Sequence, residues 1–237
     1  MELRTKGIVI RQTEVGESDK LVTLLTPEYG RLTVRAKGCR SQKSKLRFAT
    51  LPMCFGDYLL TKGKAGYIIT ACDSVDTFVS VSDDLARFYV AAVVLDGASH
   101  LSSEGTADPT LFLTVLNTLK KVAYHDDVLY TGAYYLCELM RLSGHAVRPL
   151  CVCGDEGAFI DLETGAVCCA AHRGNLCMPL SDSAREGLQA LLAGEPCTMP
   201  SIREAYVILA RCLYHTVGVK LNSVQALCKQ WEVLVAD

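Results

Sequence analysis

The sequence predicts an α+β protein: an N-terminal five-stranded barrel, then a helical region interrupted by a small cysteine-rich hairpin. Three observations predict it. The first 80 residues hold five short stretches rich in β-branched and apolar residues, separated by tight turns. After Asp83 the apolar spacing becomes helical, with capping residues ahead of the runs. Between these helices, from Pro149 to His172, the helical period lapses and glycines and cysteines crowd together.

Lys6–Gln12 alternates poorly but is β-branched, and Lys20–Thr26 is similar. Pro27-Glu28-Tyr29-Gly30 reads as a turn. Arg31–Lys37 alternates charged and apolar residues, as a half-buried strand does. Leu51–Leu60 is apolar, with Gly56 a plausible bulge. Lys62–Gly66 is a hairpin turn into a fifth strand, Tyr67–Phe78. Closure of such a sheet removes its exposed edges, hence a barrel.

Asp83 or Asp84 is placed to cap a helix running to about Leu101. Asp108-Pro109 is an N-cap with proline at the first helical position, opening Thr110–Tyr124. Asp126 or Asp127 starts a third helix that Gly144 ends. Ser183 to Glu186 and Ser201 to Glu204 fit the capping box, Gly194 ends the first of these helices, and Asn222 caps a last one through Val235. The lapse in between carries an apparent hairpin, Ala158–Leu162 to Ala166–Cys168. The expected domains are residues 1–80 and 81–237, the second with an insertion at about 146–176.

A chain of 237 residues has the length of one large or two small domains. Half its residues are hydrophobic and 21% are charged, which excludes global disorder. The most apolar stretch, near Tyr89–Leu95, stops at Asp96-Gly97, short of a bilayer. Met1 to Lys6 runs straight into a strand pattern without a signal peptide, so a cytoplasmic protein is expected, with its thiols reduced. The net charge of −2 conceals an asymmetry. Residues 1–80 hold 13 Lys and Arg against 8 Asp and Glu, a net +5; the rest hold 11 against 18, a net −7. Two domains with different partners follow.

The positive charge concentrates in one stretch. Arg31, Arg35, Lys37, Arg40, Lys43, Lys45 and Arg47 stand with no acidic residue among them, in a strand leading into a polar loop. Clustered cations neutralise backbone phosphates and release counterions, and nearby serines add neutral contacts. Small barrels carry single strands along such positive grooves. Tyr29, Phe48, Phe55, Tyr58 and Tyr67 are the aromatic residues that could stack on bases; most suit a core equally well.

Cys151-Val-Cys153 and Cys169-Ala-Ala-His172 are two ligand pairs about fifteen residues apart, a separation common in structural zinc sites. Four such ligands complete a tetrahedron, leaving no open position for catalysis. The single spacer in Cys151-x-Cys153 is short of the usual two, and Cys168 or Cys177 could replace any of the four. Elsewhere no phosphate-cradling loop is present, and none of the five histidines has a motif-spaced nucleophile. Glu14 to Asp19 reads as turn structure rather than catalytic carboxylates. A non-enzymatic protein is expected.

Gly16-Glu17-Ser18-Asp19-Lys20-Leu21-Val22-Thr23-Leu24-Leu25-Thr26, then Gly30, then Ala36-Lys37-Gly38-Cys39-Arg40, resembles the bacterial DNA repair protein RecO family, as does the Leu51-Pro52 entry to a strand. Cys39 departs mildly from the alanine or valine usual there, and the cysteine segment looks like the family's zinc-finger-like insertion. Cys151 and Cys153 depart from a Cys-x-x-Cys pattern, and His172 stands where a cysteine is common. The resemblance implies an OB-fold barrel, a helical domain and that insertion. It implies binding of single- and double-stranded DNA, annealing of complementary strands, and work with RecR and single-stranded DNA-binding protein in loading RecA. The expected location is cytoplasmic and nucleoid-associated, and the two ligand pairs are expected to hold structural zinc at Cys151, Cys153, Cys169 and His172. The alternatives are a zinc-dependent nucleic-acid-processing enzyme and another OB-fold accessory protein. A groove for an acidic peptide tail on the helical half would need a basic rim drawn from Lys120, Lys121, Arg141, Arg148, Arg203 and Arg211.

Overall fold

The structure, a computed structural model, describes residues 2–64 and 66–231. Five strands form the barrel: β1 (Glu2–Val15), β2 (Asp19–Thr26), β3 (Gly30–Ala36), β4 (Phe55–Gly63) and β5 (Gly66–Asp76). They close in the order β1-β2-β3-β5-β4, with β3–β5 the parallel pair. This is the closed five-stranded barrel that the sequence predicts, of the OB type. Its interior is filled by Val9, Val22, Leu24, Val34, Ala36, Cys39, Cys54, Tyr58, Leu60 and Ile69.

The poor alternation of β1 has a cause. Val9 pairs with Leu24 and Arg11 with Thr23, so Ile10 is an extra residue. Such a bulge breaks the period of two, and Ile8, Val9 and Ile10 are all buried in succession. The β4–β5 register also shifts between Phe55 and Gly56, but Phe55 faces Asp76 and Gly56 faces Ser74, so the extra residue is Val75 on β5 and the bulge expected at Gly56 lies on the partner strand. Strand β4 starts at Phe55 rather than Leu51. Met53 has φ 71, off the extended backbone, and its N–H reaches back to the Val9 carbonyl at 2.9 Å. The loop before it contains a short helix that periodicity did not reveal, α1 (Leu46–Ala49). It is held from below: the Tyr58 hydroxyl, inside the barrel, donates to the Ala49 carbonyl at 2.7 Å.

The chain divides into two compact units, residues 1–85 with 94–124, and residues 86–93 with 125–237. Helix α2 (Leu85–Leu101) contributes to both. The first unit adds α3 (Pro109–Tyr124) to the barrel, and Asp108 caps it as predicted, accepting from the Leu111 N–H at 2.8 Å. Gly30, at φ +60, lets strand β3 pass the 103–106 segment: a Cβ there would lie 2.1 Å from the Thr106 carbonyl oxygen.

The second unit contains α4 (Val128–Leu142), a three-stranded sheet of β6 (Phe159–Asp161), β7 (Ala166–Cys168) and β8 (Cys177–Pro179), then α5 (Asp182–Ala193), α6 (Met199–Val217) and α7 (Asn222–Gln230). β6 is the central strand, and β8 adds a third strand to the expected hairpin. The two expected capping boxes are displaced. Ser181 caps α5 and Thr198 caps α6, while Ser183 and Ser201 lie inside the helices. The glutamates pair between helices instead: Ser201 donates to Glu186 at 3.0 Å, and Ser181 to Glu204. Local spacing matched the box, but the α5–α6 packing claimed the same groups. Gly194 ends α5 at φ +73, as expected. Asn222 is the first residue of α7 rather than its cap, and the expected end at Val235 lies outside the described residues.

Candidate nucleic-acid interface and metal centre

The basic segment begins on β3 and continues through the β3–β4 connection. Its positions are not equivalent. Arg31 donates from Nη1 to the Ser99 carbonyl at 2.8 Å, and its backbone N–H reaches the Ser103 carbonyl at 2.9 Å. Arg35 lies on the outer face of β3 and meets Asp19 through Nε and Nη2, each at 2.9 Å. Arg40 donates to the Gly16 carbonyl and pairs with Glu14, each at 3.1 Å. Lys37, Lys43, Lys45 and Arg47 are exposed, and among the described residues none has an ion pair.

The β1–β2 turn is therefore the anchor of the basic loop. The Asp19 carboxylate accepts from the Gly38 N–H at 2.8 Å, and the Arg40 N–H donates to the Ser18 carbonyl at 3.1 Å. Gly38 has φ +61, a conformation that glycine takes without strain. The Gly38 N–H holds the Asp19 carboxyl below its ordinary range, with help from Ser18 and Arg35. The acids at Glu14 and Asp19 thus fix the loop that carries the cations. Sequence spacing hid this role, because sixteen residues or more separate the partners. In OB barrels the β1–β2 loop and the β2–β3 surface are where oligonucleotides bind.

Of the five aromatic candidates, Tyr58 and Phe55 are buried. Tyr67 is half-buried, packed against the barrel interior, and Tyr29 is 37% exposed in its turn. Phe48 is 64% exposed on α1, with the Arg47 guanidinium 6.0 Å from its ring centre. An exposed aromatic ring beside exposed cations is the arrangement that single-strand binders use.

The second site lies in the insertion. The ligand atoms of Cys151, Cys153, Cys169 and His172 all fall within 4.8 Å of one another. Cys153 Sγ is 3.8 Å from Cys169 Sγ, and His172 Nδ1 is 3.2 Å from Cys169 Sγ and 3.5 Å from Cys151 Sγ. A tetrahedron with ordinary zinc bond lengths has S–S edges of about 3.8 Å and S–N edges of about 3.6 Å. The Cys153–Cys169 and Cys151–His172 separations match those edges, Cys169–His172 is about 0.4 Å shorter, and with all four atoms within 4.8 Å the cluster could hold a metal ion after small side-chain shifts. Gly154, at φ +89, turns the chain just after Cys153, and its N–H donates to the Cys151 carbonyl at 2.8 Å. The short 3-10 turn Ala170–His172 brings Cys169 and His172 onto one side. Backbone N–H groups stabilise two of the thiolates: that of Cys153, then that of Cys169, lowers the Cys151 thiol, and that of His172 lowers the Cys169 thiol. Cys168 and Cys177 stand outside the four, with their sulfurs 3.4 Å from each other.

The six cations considered for a peptide rim are distributed between the units. Lys120 and Lys121 belong to the first and Arg141, Arg148, Arg203 and Arg211 to the second. Arg141 is paired with Glu138 at 2.8 Å, and Arg203 stacks on Trp231 at 5.4 Å. No helix among the described residues is long and apolar enough to cross a membrane.

Comparison with known proteins agrees with this architecture. The model of the N-terminal domain of recombination protein O matches residues 1–78, and that of its C-terminal domain matches residues 82–225. A DNA repair protein RecO of Acetivibrio thermocellus is 30% identical over 173 residues, 70% of this chain and 69% of that protein. A protein of the same name from Thermoanaerobacter sp. is 28% identical over 87% of this chain and 86% of its own length. Another, from Dehalococcoides mccartyi, is 30% identical over 61% of this chain and 57% of its own. With a matching barrel, matching helical part and a signature whose two halves are joined through Asp19 and Gly38, the chain belongs to the recombination protein O family.

Proposed function

We propose that this protein is a non-enzymatic DNA-binding mediator of recombinational repair. The observation that carries the reading is the basic β3–β4 loop, held against the β1–β2 turn of an OB barrel with Lys37, Lys43, Lys45 and Arg47 exposed and outside any ion pair among the described residues. Phosphate contacts are electrostatic and indifferent to sequence, so both single- and double-stranded DNA bind. Arg35 and Arg40 position the loop and add to its field; Arg31 ties the start of β3 in place. Loose backbone contacts let two complementary strands search for register, and base pairing then supplies specificity. Family membership and the names of the relatives support a role in DNA repair. Beyond what those names say, RecR and single-stranded DNA-binding protein are proposed as partners in loading RecA, and the proposed location is nucleoid-associated and cytoplasmic.

The metal centre serves this function as a structural element. Three thiols and one imidazole within 4.8 Å of one another suit zinc, which would stabilise the insertion by joining Cys151 and Cys153 to Cys169 and His172. All four positions come from the protein, which favours a structural site over a zinc-activated water in a deaminase or nuclease.

Mixing complementary oligonucleotides with and without the protein tests the main reading. Accelerated annealing without nucleotide or strand cleavage is expected; binding without acceleration would favour a different OB-fold accessory role. Elemental analysis should find about one zinc per chain. Cys169→Ala should lose that zinc and Cys168→Ala should keep it; the reverse ranking would reassign the ligand.

A further inference from the structure

Two thiols that the metal centre does not use face each other beside it. Cys168 ends β7 and Cys177 begins β8, the strands that flank β6. The register places Cys168 opposite Phe159 and Cys177 opposite Asp161, two positions on one face of β6. Their sulfurs meet over that face at 3.4 Å. Cys168 is buried, 6% exposed, and Cys177 is half-buried. The Gly174 N–H donates to Cys177 Sγ at 3.1 Å and fixes its direction. The other cysteines of the second unit lie outside the insertion or belong to the four-residue cluster.

We propose that Cys168 and Cys177 are a modification site: a thiol pair that a peroxide converts to a reversible disulfide. A disulfide of about 2.05 Å requires the two sulfurs to close by about 1.4 Å, and because β7 and β8 flank β6 rather than pair with each other, the two short strand ends must also draw together. Cys177, the more accessible, reacts first. Its thiolate attacks one peroxide oxygen, the O–O bond breaks, and the departing oxygen leaves as water after taking up a proton. Cys177 is then a sulfenic acid. Cys168 Sγ attacks that sulfur, the S–O bond breaks, and the second oxygen leaves as water with the proton from Cys168. Two thiols are oxidised by two electrons and one peroxide is reduced to two waters. A dithiol reductant reverses the change by exchange.

The crosslink has a defined consequence for its surroundings. It joins the two ends of the segment from 168 to 177, which contains Cys169 and His172. Closing a short loop restricts that segment, so half of the four-residue cluster stays in place when the insertion is otherwise loosened. Neither crosslinked sulfur is one of the four, so any metal held there stays.

The test uses the full-length protein as purified, with metal content measured before and after. The protein is treated with a small excess of hydrogen peroxide, alkylated with N-ethylmaleimide and digested with trypsin without reduction. Trypsin cuts after Arg173, between the two residues, and the peptide 174–185 contains a single cysteine, Cys177. Expected are a disulfide-linked pair of peptides, loss of two alkylatable thiols per chain, recovery of both with dithiothreitol, and unchanged metal content. Cys169→Ala should retain the linked pair and Cys168→Ala should abolish it. Cys177→Ala, at the less buried position, supplies the same control should Cys168→Ala fold poorly: it should lose no thiol pair on oxidation. An alkylated Cys177 after peroxide, a linked pair that survives Cys168→Ala, or metal lost in step with the crosslink would overturn the proposal. The peptide map decides the crosslink even in protein that carries no metal, so a failed metal assignment and a failed thiol pair give different results.

Discussion

At the scale of single residues, the cations of the basic segment divide into those already bonded within the fold and those that are not. Charge alone groups Arg31 with Lys37 and Lys45. The structure separates them, because Arg31 reaches the Ser99 carbonyl while the lysines remain exposed. No sequence pattern could show this, since the Arg31 partner lies 68 residues away. Phe48 is one of five aromatic candidates in the sequence, and only its exposure sets it apart. Phe48→Ala should weaken binding of an oligothymidine by about 1–3 kcal/mol, the range for one stacked base, and leave duplex affinity nearly unchanged. Fluorescence anisotropy on the two DNA forms checks this; equal losses on both would remove Phe48 from a stacking role. Asp19 gives a second prediction. Its carboxyl is depressed by the Gly38 N–H, with Ser18 and Arg35 adding to the effect. A depressed folded pKa means that the group stabilises the loop anchor fully above the ordinary carboxylate pKa. That contribution fades as pH falls through the lowered value. The Gly38 amide resonance should follow this titration, below the ordinary range, and Asp19→Asn should abolish it. A midpoint at or above the ordinary value would contradict the anchor.

At the scale of elements, the sequence located the five strands and the cysteine hairpin, and long-range packing decided the details. The barrel was legible because β-branched runs and Gly30 mark its strands and turn directly. The short helix α1 was not, because four residues carry no period and its support, Tyr58, comes from another strand. The capping boxes at Ser183 and Ser201 failed for a related reason: Glu186 and Glu204 satisfy partners on the neighbouring helix. Gly187 shows how close that approach is. A Cβ there would lie 2.2 Å from the Ser201 carbonyl oxygen, which is backbone and cannot step aside. Gly187→Ala should therefore destabilise the second unit by about 1–3 kcal/mol, although alanine is ordinarily the better helix former. Urea denaturation measures it; a stabilised variant would mean that the helices separate easily. The four residues of the candidate metal centre were legible as two pairs at a familiar separation. The choice among Cys168, Cys169 and Cys177 needed three-dimensional distances, because adjacent cysteines on a strand end point to different sides.

At the scale of the whole molecule, charge divides unevenly along the sequence. The first 80 residues, at +5, carry the exposed cations of the β3–β4 loop, and the remainder, at −7, carries the candidate metal centre and the longest helices. The loop that the account makes responsible for DNA affinity is rigidly anchored at one end, through Asp19 and Gly38, and presents its free cations beyond that point. The most direct measurement is the salt dependence of DNA binding by the full chain and by a variant with Lys37, Lys43, Lys45 and Arg47 replaced by alanine. Wild type should lose affinity steeply with salt on every DNA sequence. The variant should bind more weakly at low salt, with a slope reduced by about one for each phosphate that is no longer neutralised. An unchanged slope and affinity in a folded variant would place the DNA-binding surface elsewhere and contradict the account.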